Sequence, residues 1–358
     1  MTKRGDMAED VRTAPRKGAA APPARPEATT AGDRLLFVAA FFLPPRLTPD
    51  RVRYHRWYRK LDTYRFICWF LSLPLLFYGV FVVSPFLQAF FYSLTDWTGL
   101  SANYNFVGFD NYVRLWGDAQ FWSALWNSVL LLIVVPVVTL ALGLFFAFML
   151  NAGGRHKKNE AISGVRGSQF YKIVYFFPQV LSVAIIAVIW ARIFSPRSGI
   201  LNASLERVGL GALTRDDWLG GPWALACVMA VLSWSFVGFY VVLFSAAMGS
   251  IPKEIYEAAL LDGASRPATF FRITFPLSWD AIRTGWIYMG IQALDAFALV
   301  NIMIPDHGMD VLPTFLYKQA FVRGQAGYAT AVGVVLFLVT LVFAVAMMRL
   351  GRRDRIEF

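Results

Sequence analysis

The residues best equipped for chemistry in this chain lie in two short stretches. Between positions 250 and 276 stand Glu257, Ala258 and Ala259, then Asp262, Gly263, Ile273 and Pro276. One carboxylate beside two small residues suits a helix surface that another protein approaches closely, with Glu257 pairing to that partner's Arg or Lys. Acid–base catalysis would need a second group positioned with it. Farther on, Gln292 and Asp295 lie three residues apart, on one helix face, in a run from Thr284 to Pro305 with no other charge. The other reactive side chains form no site: His55, His156 and His307 are scattered, His307 reading as an exposed loop residue, and Cys68 and Cys227 lack metal-ligand spacing. No Gly-Lys dipeptide occurs, so the chain has no Gly-rich phosphate-binding loop of its own.

The composition says which elements must hold these residues. Of the 358 residues, 57% are hydrophobic, 16% are charged and 32 are Phe, with a mean hydropathy of +0.50. Soluble domains are about a quarter charged. Five blocks lack Asp, Glu, Lys and Arg altogether: 66–95, 119–154, 173–191, 218–252 and 324–348. A bilayer core takes about 20 such residues per helix. With the stretch around Asp295, the spacing predicts six spans near 66–92, 124–149, 170–194, 222–248, 277–303 and 326–348. The expected fold is an all-α, polytopic membrane helical bundle, which excludes a secreted domain, a soluble enzyme and a disordered scaffold. Asp295 then lies inside a span, where a charge is costly unless it faces a cavity or a partner. Cys68 and Cys227 read as buried structural thiols.

The net charge of +11 is chiefly an orientation signal. With the N-terminus inside, 27 of the 34 Lys and Arg fall in 1–65, 151–172, 249–283 and 349–358, all on the cytoplasmic side. That bias predicts both termini in the cytoplasm. No nucleic-acid partner is implied; Arg46 to Arg65, with Tyr54, Trp57 and Tyr58 interleaved, suits anionic lipid headgroups. Trp97, Trp116, Trp122 and Trp126 fall at the outer edges of spans, as interfacial aromatics do. Residues 1–33 read as a disordered tail, 34–65 as an interfacial basic segment with a short apolar helix at Leu35–Leu43, 66–349 as the membrane domain, and 350–358 as a cytoplasmic tail.

The loop between the fourth and fifth spans has its own punctuation. Pro252 opens a helix of good helix formers, Gly263 suits its C-terminal cap, and Ser265 with Pro267 starts a second helix that Phe270, Phe271, Ile273 and Phe275 carry toward the membrane. Glu257-Ala258-Ala259, Gly263, Ile273 and Pro276 also reproduce the spacing of the EAA loop of importer-type ABC permeases, with Phe275 where that pattern has Leu. Ile251 to Tyr256, Phe106 to Tyr112, Gly199 to Asn202 and Gly238 to Tyr240 resemble the branch that imports sugars, polyols and glycerophosphate-type solutes. The resemblance covers about 64–349 and departs from the branch at Ile304 to Asp310, where a Gly-rich stretch is usual.

The resemblance implies the type I importer permease fold, in which the EAA loop is a coupling helix. It makes Glu257, Ala258, Ala259 and Gly263 docking residues for an ATP-binding subunit, with Asp262, Ile273 and Pro276 shaping the loop. It further implies a second permease subunit, two ATP-binding subunits carrying the ATP and magnesium, an extracytoplasmic solute-binding protein, and a prokaryotic cytoplasmic membrane. No cofactor is expected on this chain, which is not itself an enzyme. Gln292 and Asp295 are the expected lining of the translocation path, with a helix-packing or gating hydrogen bond as the other reading; Asn127, Ser233, Ser235 and Tyr240 are weaker path candidates that also suit packing. An ion-gradient-driven secondary transporter is the alternative class. It normally needs coupling-ion carboxylates or broken helices at mid-membrane, and only Asp295 is available there.

Overall fold

In the hydrocarbon core no water is present to pair with peptide groups, so each apolar block must satisfy its backbone within itself, and a helix does that. The computed structural model describes residues 56–152, 165, 167–196, 199–214, 217–304 and 309–350. Within them the chain is helical, with one isolated bridge between Thr95 and Phe106. The tail expected at 1–33, the short helix expected at Leu35–Leu43, all three histidines and residues 351–358 lie outside the described residues.

Among the described residues, four helices are long and apolar enough to cross a membrane without a sharp bend: Phe66–Tyr92, Ala119–Asn151, Ala224–Gly249 and Ala326–Leu350. The other two expected spans are each a bent pair. Ser168–Val180 and Val183–Ile193 meet at 94°, and Trp279–Leu294 and Phe297–Met303 meet at 43°. The apolar run in the sequence predicts each as one span. At the first break Leu181 and Ser182 take extended backbone angles. Pro178, which lacks an N–H, is the local signal for a weak point.

The chain divides into two compact units, Met1–Pro85 and Phe86–Phe358. In the first, helix Arg56–Tyr78 runs into a π-helical turn at Gly79–Val83, and its aromatic residues are bare: Phe66, Trp69 and Phe81 are each about two-thirds exposed. An apolar helix exposed on all sides is one that lipid or another protein covers. Cys68 shares this exposure and is therefore not the buried thiol its apolar surroundings suggest, whereas Cys227 is buried as expected.

The second unit is organised around the fourth span, Ala224–Gly249, whose most apolar stretch is 67% buried. It packs mainly on the second span and on Ser168–Val180. Val228, Val231, Tyr240, Val241 and Phe244 are completely enclosed. Glycines allow the closest approaches. A Cβ on Gly143 would come within 2.6 Å of the Tyr240 Cβ, and one on Gly238 would collide with the Tyr175 carbonyl. The second helices of the two bent pairs, Val183–Ile193 and Phe297–Met303, pack on each other.

The Gly238 contact is backbone against backbone and has no side chain that can give way. Gly238→Leu is expected to destabilise the purified protein by about 3 kcal/mol or more, read as a lower melting temperature in detergent, while Gly79→Leu, with open space at its Cβ, leaves melting unchanged.

Candidate functional site

The loop between the fourth and fifth spans folds as its punctuation predicts. Pro252 precedes helix Lys253–Leu261, with Glu254 in the first turn where the helix dipole favours an acid. At the other end the Ala264 N–H donates to Ala259 O at 2.9 Å and the Gly263 N–H to Leu260 O at 3.0 Å. This is a Schellman cap, and it requires the positive φ of +75° that Gly263 adopts. One face of the helix points inward through Ala259, which is buried, and Ile255 and Tyr256, which are half-buried. The opposite face carries Glu257, Ala258 and Asp262, all exposed, and Leu261, 88% exposed.

The return to the membrane begins at Ser265, whose Oγ accepts the Ala268 N–H at 3.4 Å. Arg266–Thr269 is followed by a π-helical turn, Phe270–Thr274, and by Phe275–Leu277, with Pro276 in its first turn. Ile273 is half-buried on this turn. Phe270 anchors it, packing edge-on against Phe148 of the second span at 4.9 Å and near Phe275 at 6.4 Å. An aromatic at 275 fits this cluster, in contact with Trp279 at 6.0 Å. Sequence reasoning missed one bond here: the Tyr256 hydroxyl lies 3.3 Å from Thr274 Oγ1, joining the two arms of the loop. The only sequence signal for it was an aromatic on the inward face of an amphipathic helix.

Gln292 and Asp295 do not share an uninterrupted helix. Asp295 is the C-cap of Trp279–Leu294: its N–H donates to Ile291 O at 3.1 Å, and its own carbonyl accepts the Phe297 N–H at 2.8 Å across the break. Its side chain is exposed and that of Gln292 half-buried, so the pair flanks the bend on the chain's own surface. A short acidic side chain tolerates such non-helical positions better than most residues. Tyr240 is different: it is completely buried and its hydroxyl donates to Gly285 O at 2.9 Å, leaving no surface for a solute. Ser235 donates back to Val231 O at 2.7 Å within its own helix, and Ser233 is buried. Asn127 Nδ2 donates to Asp310 O at 2.8 Å, and Ser128 Oγ accepts the Leu312 N–H at 2.8 Å. Together they tie the segment after the fifth span to the second span, and Asp310 pairs with Lys318 at 2.8 Å.

The opposite end of the bundle from the Glu257 loop is a polar knot. Asp118 Oδ1 accepts the N–H groups of Gln120 and Phe121 at 2.9 and 3.3 Å, capping the second span, and Oδ2 accepts the Tyr328 hydroxyl at 2.7 Å. Arg114 lies 4.2 Å over the Tyr328 ring and donates to Gln325 Oε1 at 2.8 Å. Burial works to raise the Asp118 carboxyl, but the Tyr328 hydroxyl, the two backbone N–H groups and Arg114 outweigh it and hold it below 3.8. Near this end an apolar cleft of about 570 Å³ opens between Phe86, Phe90, Phe321 and Phe337 over a floor of Ala326, Ala329 and Gly333. So apolar a lining does not suit a hydrated solute.

An apolar bundle with an exposed, capped acidic helix in the loop between its fourth and fifth spans and polar groups at a bent span has the architecture of a transport subunit. The family model described as "Binding-protein-dependent transport system inner membrane component" matches residues 161–355. The chain belongs to that family: it is a multi-pass inner-membrane permease subunit of a binding-protein-dependent importer of the ABC type. It is similar to the diacetylchitobiose uptake system permease protein NgcF of Streptomyces coelicolor, 45% identical over 301 residues, 82% of this chain and 85% of that one. It is also similar to the multiple sugar-binding transport system permease protein MsmF of Streptococcus mutans, 31% identical over 291 residues, 79% and 94% of the two chains. Its fold matches a chain of a bacterial alginate ABC transporter, solved in complex with an alginate pentasaccharide-bound periplasmic protein, at a TM-score of 0.71 and 22% identity over 84% of this chain and 99% of that one.

The knot at Asp118 makes a pH-dependent contribution. A carboxyl held below its ordinary 3.8 stabilises the fold above that value, and the contribution is lost as pH falls through the lowered value. Asp118→Asn is therefore expected to melt below wild type at pH 7, with the gap closing as pH is taken under 3.8. A gap independent of pH would contradict the assignment.

Proposed function

We propose that this permease forms half of a translocation path for a carbohydrate-type solute and is driven through helix Lys253–Leu261 by separate ATP-binding subunits. The observation that carries the reading is the exposure of Glu257, Ala258, Asp262 and Leu261 on a helix fixed at both ends, by Pro252 and by the Gly263 cap. The apolar Leu261 beside the Glu257 and Asp262 carboxylates offers a partner both buried area and charge to pair, and Ala258 permits close approach. Ala259 and Gly263 serve the helix's inward face and its cap; Ile273 and Pro276 set its angle to the fifth span. ATP and magnesium belong to the two ATP-binding subunits, since the chain has no phosphate-binding loop.

A second permease subunit completes the path, and a solute-binding protein delivers cargo to the end that carries Asp118. Placing the loop beside a cytoplasmic ATPase puts both termini in the cytoplasm of a prokaryotic cell, as the distribution of Lys and Arg implies. The names of two relatives, a diacetylchitobiose uptake permease and a multiple sugar-binding system permease, support the solute class. Gln292 and Asp295 line the path: an exposed carboxylate within a membrane segment is costly unless it meets a cavity or a partner. The fully buried Tyr240 and the tethered Asn127 are assigned to packing instead.

Glu257→Lys should insert and melt like wild type, because the side chain is exposed, yet reduce energised solute uptake at least tenfold in vesicles; normal accumulation would refute the coupling role. Asp295→Leu should co-purify with its partner subunits and reduce uptake while ATP hydrolysis persists. Unchanged uptake in that variant would return Asp295 to a packing role.

A further inference from the structure

Driving a transporter through a short surface helix requires that the helix not tilt independently of the span it is meant to move. The Schellman cap fixes the local path of the chain at Gly263, but between there and Trp279 lie a four-residue helix, a π-helical turn and a three-residue helix. A π-turn is a weak place in a rod, since its N–H groups reach back five residues and the ladder is locally widened. Here the Phe275 N–H donates to Phe270 O. Thr274 lies inside this turn, completely buried, and its Oγ1 donates to Thr269 O at 3.5 Å, spanning the widened ladder. The phenol oxygen of Tyr256 lies 3.3 Å from Thr274 Oγ1, where either hydroxyl can donate. Burial pushes the Tyr256 phenol up, with a smaller opposing effect from Thr274, so it keeps its proton.

We propose that Tyr256 is a positioning residue: its hydrogen bond to Thr274 latches helix Lys253–Leu261 to the π-turn at the foot of the fifth span, so that displacement of the exposed Glu257 face moves that span instead of bending the loop. The proposal rests on the coupling reading above. It gives Tyr256 a duty separate from the docking residues, because the side chain faces inward, away from the exposed face that meets a partner. The latch also joins the loop to the bend that carries Asp295, since Thr274 O accepts the Ser278 N–H at 3.0 Å and helix Trp279–Leu294 follows directly and ends at Asp295.

The test uses the whole transporter, co-purified with its ATP-binding subunits, in a Cys68→Ser background with a fluorescent label at Ile291→Cys, a surface position four residues before Asp295. MgATP with vanadate is the probe, so the identity of the solute is not needed. Wild type is expected to change its label signal on trapping. Tyr256→Phe and Thr274→Val should each trap as much nucleotide and remain folded and assembled, yet lose about fivefold of that signal change, the equilibrium effect of one hydrogen bond. The double variant should lose no more than either single one, and Thr274→Ser, which keeps the hydroxyl, should restore the change. Full signal in Tyr256→Phe or Thr274→Val, losses that multiply in the double variant, or no signal in wild type would each overturn the latch. Glu257→Lys separates the two readings: loss there with a full signal in Tyr256→Phe removes the latch alone, and a full signal in Glu257→Lys removes the coupling reading itself.

Discussion

Every peptide group in a membrane core must find its hydrogen-bond partner inside the protein, and the architecture follows from how this chain meets that demand and where it relaxes it. The four long spans satisfy it by continuous helix, the first with a π-helical turn at Gly79–Val83. The departures among the described residues are local: the 94° bend after Val180, the 43° bend at Asp295, and π-turns at Gly79–Val83, Phe270–Thr274 and Lys318–Val322. A straight helix moves as a unit, whereas a bend or a widened turn can take two arrangements. Two of these departures flank one element, helix Trp279–Leu294, which runs from the proposed coupling loop to the proposed solute path.

Packing determines which parts must move together. The fourth span is locked to the second and to Ser168–Val180 by contacts in which glycine brings backbones together, with Tyr240 and Phe244 filling the interior. Interiors of that density rearrange as blocks. The loop helix, by contrast, has few buried residues and a surface left to a partner. Its hold on the bundle comes from Ala259, the Phe270 cluster and the Tyr256 latch, all on the side away from the exposed carboxylate.

Much of this was legible in the sequence. Charge-free blocks of the right length located the spans, because the bilayer demands long apolar runs whatever the packing. Gly263, Ser265 and Pro267 located the two loop helices, because caps are local chemistry. What the sequence did not disclose depends on long-range contact or on geometry without a distinctive residue type. Asp295 read as a mid-helix charge, and only the fold shows it as a cap at a bend. Tyr240 read as a weak path candidate although its hydroxyl is bonded to Gly285, 45 positions away. Cys68 sits in text as apolar as that around Cys227, yet one is bare and the other enclosed, since burial is settled by neighbours.

The central claim is that the exposed face of helix Lys253–Leu261 sits against an ATP-binding subunit. Cysteine cross-linking in the assembled transporter reads that contact directly. With Cys68→Ser as background, Ala258→Cys paired with cysteines scanned over the ATP-binding subunit's membrane-facing cleft should yield a disulfide-linked pair that forms on oxidation, halts ATP-driven uptake and recovers with reductant. A scan that links the ATP-binding subunit to Thr98→Cys at the opposite end of the bundle, and never to Ala258→Cys, would contradict the account.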